Sequence, residues 1–354
     1  MKIEAQVPLA PLTTLGVGGH AAHYAHVESE AELLEALAWA SSRELPVRVL
    51  GGGSNIVVAD AGFAGLVIDL ALRGVQSEAR GETRLVRAAA GEPWDGFVER
   101  MVSADLQGLE CLSGIPGRIG ATPIQNVGAY GQDVSETIVE VRAIDARERT
   151  RRVFSKAECQ FAYRDSFFKS HEPGRYVVTE VTFELRENAA PALRYAELER
   201  WFSTRNQASP TLAEVRATVL QLRRSKSMVL DTSDPNSRSC GSFFVNPVLT
   251  AAEFAAFSAR AKPEPAVPQF LQPDGRVKLS AGWLIEHAGL PRGTRDGAVG
   301  LSTQHALALV AHEGARAVDV ARLAERVQRT VYERFGVRLE PEPVFWGSND
   351  SGGG

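Results

Sequence analysis

Gly51, Gly52 and Gly53, followed by Ser54 and Asn55, are the residues of this chain whose types and spacing most clearly suit chemistry. Glycine tolerates positive φ and carries no Cβ, so such a turn can bring several backbone N–H groups against one anion. The turn lies between two apolar runs, Val47 to Leu50 and Ile56 to Val58. Strand, glycine turn, strand reads as a cradle for a diphosphate; the same spacing also fits a plain hairpin with a generous loop. A second glycine-dense stretch runs from Gly108 to Gly131 and holds Gly114, Gly117, Gly120 and Gly128. It is too long for a simple connection, and Leu112, Ile115, Ile119, Ile124 and Val127 argue that it is ordered. Together the two segments could wrap a dinucleotide from two sides. Gly16-Val17-Gly18-Gly19 does not complete a GxGxxG fingerprint, because Ala21 stands at its last position, so a Rossmann site is not supported.

Three further groups carry side-chain chemistry. Arg164 stands between Tyr163 and Asp165-Ser166, where a planar guanidinium can grip a carboxylate or simply pair with Asp165. Ser242 follows Gly241 and precedes Phe243-Phe244, which either exposes one hydroxyl in a dry pocket or marks a tight turn. It is not a GxSxG nucleophile elbow. Glu340 and Glu342, at i and i+2, would share one face of a strand as an acid pair or as a solvated edge. Histidines 20, 23, 26, 171, 287, 305 and 312 form no metal motif. Cys111, Cys159 and Cys240 are odd in number and fit reduced thiols in a cytoplasm, with a redox switch at Cys240 as a minor alternative.

The elements that must position these groups can be read from caps and periodicity. Ser29-Glu30-Ala31-Glu32 and Thr211-Leu212-Ala213-Glu214 are capping boxes that open helices. A helix begins at Pro93 and runs to Ser103, and the last helix carries Val320, Ala324, Val327, Val331 and Phe335 up to Gly336. Strand-like runs cover 47–50, 56–58, 66–70, 84–89, 138–144 and 176–185, and Pro263 to Pro273 reads as an extended surface loop. The 354 residues suggest two or three domains. A net charge of −4 provides no electrostatic footprint for nucleic acid or an anionic membrane. The first residues lack a signal-peptide core and no run approaches the ~18 apolar residues of a membrane span, so a cytoplasmic location is expected.

As an ordered set, Thr14-Leu15-Gly16-Val17-Gly18-Gly19, Leu50 to Asn55, Gly114-Ile115-Pro116-Gly117 with Gln125 to Gly131, Tyr163 to Ser166, Gly241 to Phe244 with Asn246-Pro247, Ala281 to Ile285 and Leu339 to Glu342 closely resemble the UDP-N-acetylenolpyruvoylglucosamine reductase family. The resemblance spans nearly the whole chain. It implies an α+β, three-domain flavoprotein: a two-part PCMH-type, vanillyl-alcohol-oxidase-like FAD-binding fold plus a smaller α/β substrate domain. The implied boundaries are 1–72 and 73–217 for the two FAD-binding parts, 218–335 for the substrate domain, a strand within 336–347 returning to the second part, and a disordered tail at 348–354. It further implies non-covalent FAD, NADPH as co-substrate, and reduction of the enolpyruvyl ether of a UDP-sugar to a lactyl ether in peptidoglycan synthesis. A monomer is expected.

By the same resemblance Arg164, Ser242 and Glu342 are catalytic. Gly51, Gly52, Gly53, Ser54, Asn55, Gly114, Ile115, Pro116, Gly120, Gln125, Asn126, Gly128 and Tyr130 bind the cofactor, and Tyr195, Arg223, Lys226, Asn246 and Gln304 bind the substrate. Leu193 to Leu198 looks like the substrate-covering loop of the family's longer, tyrosine-bearing type. Thr13 replaces a frequent asparagine, and Val245 stands where some members have lysine, so no charged contact carries over to that position. Two other readings stay open: an oxidase of small alcohols or sugars on the same fold, with Cys111 the only His or Cys of its loop to tether a flavin, and a nucleotide-binding sensor without turnover.

Overall fold

A computed structural model describes residues 1–261 and 266–347. The tail 348–354, expected to be disordered, and Pro263 to Pro265 lie outside the described residues.

In the first region, strands His20–Val27, Phe63–Leu70 and Val47–Leu50 run parallel, with Glu4–Pro8 antiparallel at the edge. Helix α1 (Glu30–Ser41) starts at its capping residue, with Ser29 Oγ accepting the Glu32 N–H at 3.2 Å. Leu33, Ala36, Leu37 and Ala40 form its buried stripe and join Leu66 and Ile68 of the sheet.

Ile56–Val58 does not fold back on Val47–Leu50, so the triple glycine is not a hairpin. It pairs in parallel with Val344–Trp346. This also corrects the expected return of 336–347 to the second region. The glycine turn delivers Ile56–Val58 with an unsatisfied backbone edge, and the closing strand satisfies it. Trp346 then packs into a small core with Leu9, Val58 and Phe63.

The second region is an antiparallel sheet in the order Arg151–Ser155, Ile138–Asp145, Tyr176–Glu187, Thr83–Ala89, Val75–Arg80. Helix α2 (Trp94–Ser103) lies on it, with the Trp94 and Phe97 rings 6.1 and 5.3 Å from Phe183. The single turn α3 (Phe167–Ser170) sends Phe168 against Phe154. One apolar core runs through both regions, from Leu33 and Leu66 to Val86, Trp94 and Phe183.

Helices α4 (Ala196–Ser203) and α5 (Leu212–Ser225) bury Leu198, Phe202, Val215, Val219 and Leu222 against Cys111. The expected boundary at 217 therefore falls inside α5, whose apolar face is continuous from Leu212 to Leu222. In the third region α6 (Ala251–Ala261), α7 (Ala281–His287) and α8 (Ala317–Phe335) pack Phe257, Leu284, Leu323, Val327 and Phe335 around one core. Gly336 ends α8 at φ +72°, its N–H on Tyr332 O at 2.7 Å. Part of the proline-rich excursion is a strand, Gln269–Leu271, paired with Val277–Leu279, rather than a loop. Among the described residues no helix is long and apolar enough to cross a membrane.

Trp346→Ala is expected to cost about 3–5 kcal/mol, the scale of emptying a large buried aromatic site. The readout is a lower denaturant midpoint at unchanged slope. An unchanged midpoint would separate the closing strand from the cooperative core.

Candidate active site

The two glycine turns touch backbone to backbone. A Cβ on Gly52 would lie 2.5 Å from Gly117 Cα, and one on Gly53, at φ +61°, would lie 2.0 Å from Leu12 O. Ser54 Oγ donates to Pro116 O at 3.1 Å, and Asn55 Nδ2 donates to Gln125 Oε1 at 2.7 Å and Glu342 O at 3.2 Å. Around this contact lies one cavity, lined by Gly51 to Asn55, Ile115 to Arg118, Gln125 and Gly128, and continuing to Arg164, Arg223, Ser242 and Glu342. Two glycine turns in backbone contact, opening onto charged side chains, fit a flavin dinucleotide, whose diphosphate needs close backbone approach. Gly114, Gly120, Asn126 and Tyr130 do not line the cavity. Gly120 sits against Ala90, and the Asn126 side chain is spent on Ala162 O and the Ser135 N–H, 2.9 and 3.1 Å away. The Thr13 hydroxyl accepts the Gly16 N–H at 3.1 Å and so caps its turn despite replacing asparagine.

Arg164, Ser242 and Glu342 line the same cavity, with Arg164 and Glu342 in contact. Arg164 has a left-handed backbone, φ +56°, which is strained for a side-chain-bearing residue. Its guanidinium donates to the Gly128 carbonyl and stands 3.5 Å from both Glu342 Oε1 and Asp133 Oδ1. It thus pairs with Glu342 and Asp133, not with Asp165, which caps Ser166 and takes the Ser170 hydroxyl. Gln125 Nε2 donates to Glu342 Oε1 at 3.3 Å. Burial drives the Glu342 pKa above the usual carboxylate value, against the pull of Arg164 and Lys169. Glu340 is exposed whereas Glu342 is largely buried, so the two carboxylates do not share a face. Pro341 bridges Phe244, and strand structure resumes only at Val344. Phe243 and Phe244 are buried and anchor the serine turn, with Phe243 O accepting the Glu342 N–H at 2.9 Å. The Ser242 hydroxyl has no protein partner among the described residues, which leaves it available to a ligand.

On the adjoining side, Tyr195 and Tyr130 meet edge to face at 5.4 Å, and Lys226 Nζ lies 5.5 Å from the Tyr130 ring. Lys226 also pairs with Glu197 of α4 at 2.6 Å. Arg223 donates Nη2 to Met228 O at 2.7 Å, while its Nε is buried without a partner. Among the described residues it makes no salt bridge, and the charge of Asp95 only partly offsets the burial that opposes its own. Asn246 spends its carbonyl on the Ala281 N–H at 2.9 Å and borders a neighbouring groove with Val245 and Tyr163. Gln304 is exposed; His305 turns inward instead, its Nδ1 accepting the Leu307 N–H at 3.1 Å. Burial, with Lys226 and Arg292 nearby, pushes the His305 pKa down to about 4, so the ring is neutral.

Sequence reasoning missed Asp133, His305 and Lys278. Lys278 is half-buried, with Nζ 4.6 Å from the Tyr163 ring; burial and the charge of Arg164 lower its pKa, and Asp133 opposes them. A lysine between Val277 and Leu279 in a short strand was the available signal.

Sequence models of two families match: the FAD binding domain over residues 21–153, and the C-terminal domain of UDP-N-acetylenolpyruvoylglucosamine reductase over residues 234–346. The UDP-N-acetylenolpyruvoylglucosamine reductase of Thermobifida fusca is 51% identical over 347 residues, 96% of this chain and 97% of that protein. This chain belongs to that family. The Streptomyces coelicolor reductase is 47% identical over 96% of this chain and 89% of its own length. The crystal structure of the Thermus caldophilus reductase superposes with a TM-score of 0.67 at 29% identity, covering 98% of this chain and 99% of that one.

Family membership agrees with the cavity chemistry, and the chain is an FAD-dependent oxidoreductase. Cys111 is buried outside the cavity, beneath α4 and α5, and burial pushes its thiol pKa up to about 12, which does not suit a flavin tether. Cys240 lines the cavity, but its thiol is buried against Ile56 O at 3.4 Å and is likewise pushed up to about 12, which does not suit a redox switch.

Gly52→Val is expected to lower flavin occupancy sharply, because a branched side chain cannot share the Gly117 contact. The flavin-to-protein absorbance ratio of the purified variant measures it. Parental occupancy would mean that the turn contact does not shape the cofactor site.

Proposed function

We propose the following division of labour for the reduction of UDP-N-acetylglucosamine enolpyruvate to UDP-N-acetylmuramate, the NADPH-dependent step of cell-wall synthesis that family membership assigns to this chain. The observation that carries it is that the Arg164–Glu342 pair and the unpartnered Ser242 hydroxyl line the same cavity as the glycine turns.

Gly51 to Asn55 and Ile115 to Gly117 would hold the FAD diphosphate through backbone N–H groups. When bound, FAD supplies the hydride that it takes from NADPH. An enol ether is electron-rich and resists hydride attack. The adjoining carboxylate becomes an electron sink only if developing negative charge on it is stabilised. Arg164 does this with its guanidinium, oriented by Gly128 O and by the carboxylates on either side. Glu342, whose pKa burial raises, would add a hydrogen bond to the same group in its protonated form. Ser242 would donate the proton that C2 requires from its otherwise unused hydroxyl, and regain it from solvent. The end of α5 and the third region, with Arg223, Lys226, Asn246 and Gln304, take the uridine-diphosphate side together with Tyr195 before α4. His305 joins that set, as a neutral donor through Nε2 beside Lys226.

Two tests separate the roles. Ser242→Ala removes the donor and little volume. Anaerobic stopped-flow should find NADPH bleaching of the flavin near parental, and reoxidation by the enolpyruvyl sugar slowed by about 10²-fold or more. The parental reoxidation rate should also fall as pH rises through the elevated Glu342 pKa, because ionisation removes its proton. That limb should vanish in Glu342→Gln. Near-parental reoxidation in Ser242→Ala, with the larger defect in Glu342→Gln, would transfer the proton donation to Glu342.

Tyr195→Phe and Lys226→Ala should mainly raise KM for the nucleotide sugar. An equal fall in NADPH-driven flavin reduction would remove both residues from the substrate side.

A further inference from the structure

Asp95, in the first turn of α2, receives donors from two separate parts of the site. Its Oδ1 accepts the Gly114 N–H at 2.6 Å, at the start of the second glycine turn. The same carboxylate takes Arg216 of α5 bidentately, Nη1 to Oδ1 at 2.6 Å and Nη2 to Oδ2 at 3.0 Å. The Arg216 side chain is only 10% exposed. Trp94 secures the rest of the turn, donating Nε1 to Leu112 O and its backbone N–H to Gly117 O, each at 3.0 Å. Burial alone would raise the Asp95 pKa, but Arg216 and the Gly114 N–H bring it below the ordinary value, so the pair is ionic.

Along α5, about two turns beyond Arg216, stands Arg223. Its Nε lies against Gly114, 3.3 Å from where a Cβ would be. Lys226 is the C-cap of the same helix. The flavin turn and the basic end of α5 are therefore tied through the Asp95 carboxylate, with Glu99 Oε1 a longer second partner of Arg216 at 3.7 Å, and through a helix that is stiff over that distance. A bidentate Arg–carboxylate pair sets orientation as well as distance. Neither Asp95 nor Arg216 lines the cavity.

We infer that Asp95 and Arg216 are positioning residues, a clamp that sets Arg223 and Lys226 over the flavin turn. The inference rests on reading Arg223 and Lys226 as the nucleotide-sugar side.

The test uses the flavin-loaded enzyme. R216M keeps the stem and removes the charge, while Asp95 still holds the Gly114 N–H. Its FAD affinity, read by flavin fluorescence, and its NADPH half-reaction should stay within about threefold of parental. KM for the enolpyruvyl sugar should rise about tenfold or more at little-changed kcat, the scale of losing a charge-assisted bond. R216K should recover part of that KM. D95N should raise both the FAD dissociation constant and KM. A parental KM in R216M would overturn the clamp, as would an R216M in which FAD affinity and KM fail together. If R216M does not fold, R216K decides: it must raise KM without weakening FAD. K226A separates the underlying reading: unchanged KM there removes the basic helix end from the substrate side, whereas raised KM in K226A with parental KM in R216M removes only the clamp.

Discussion

Backbone against backbone, Gly52 on Gly117, is the contact on which the rest of the site depends. It brings together two turns from separate sheets at a distance that no Cβ allows. Ser54 locks it by donating to Pro116 O, and Asn55 extends it to Gln125 and Glu342. The first two regions can hold this approach because they are not independent bodies. Their apolar residues form one core from α1 through α2 to Phe183. The cofactor cavity is the space left where two chains of backbone meet, so its shape is set by packing that lies beneath it.

The side of the cavity that carries Arg164 and Glu342 is then assembled by the end of the chain. Val344–Trp346 pairs with Ile56–Val58, directly after the first glycine turn, and brings Glu342 beside Asn55 and Gln125. Phe243 holds the Glu342 backbone from the other side. Residues numbered in the fifties, the one hundred and twenties, the two hundred and forties and the three hundred and forties thus share a few ångströms. Burial of Trp346 supplies part of the driving force for that arrangement.

Charge in the cavity is local and does not follow the net charge of −4. Arg164 stands between Asp133 and Glu342, Lys278 faces the same cluster, and Arg223 makes no salt bridge among the described residues, feeling Asp95 only at longer range. Such fixed charges, held before the ligand arrives, stabilise developing negative charge at little reorganisation cost. The elevated Glu342 pKa and the depressed His305 pKa both arise mainly from burial. Loss of solvent therefore tunes the acid and base forms, and neighbouring charges adjust them.

What the sequence by itself determined was local. The helix starts at Ser29 and Thr211, the stop at Gly336, the glycine turns and the motif order all depend on residues within a turn or two of one another. Caps and positive φ are satisfied or not at that range. Side-chain chemistry alone left Arg164, Ser242 and Glu342 each with a structural alternative; the order of motifs, through the resemblance, singled them out. Tertiary structure alone decided what each faces. Ile56–Val58 could have paired with any open edge, and the edge it found was the far terminus. Asn126 turns its amide into the backbone, Gln304 points outward where His305 points in, and Lys278 enters from a strand that carried no motif. Asp95 and Arg216 meet across 121 positions, a pairing that no local pattern records. Such partnerships are fixed by which polar groups remain unsatisfied once the apolar cores have closed.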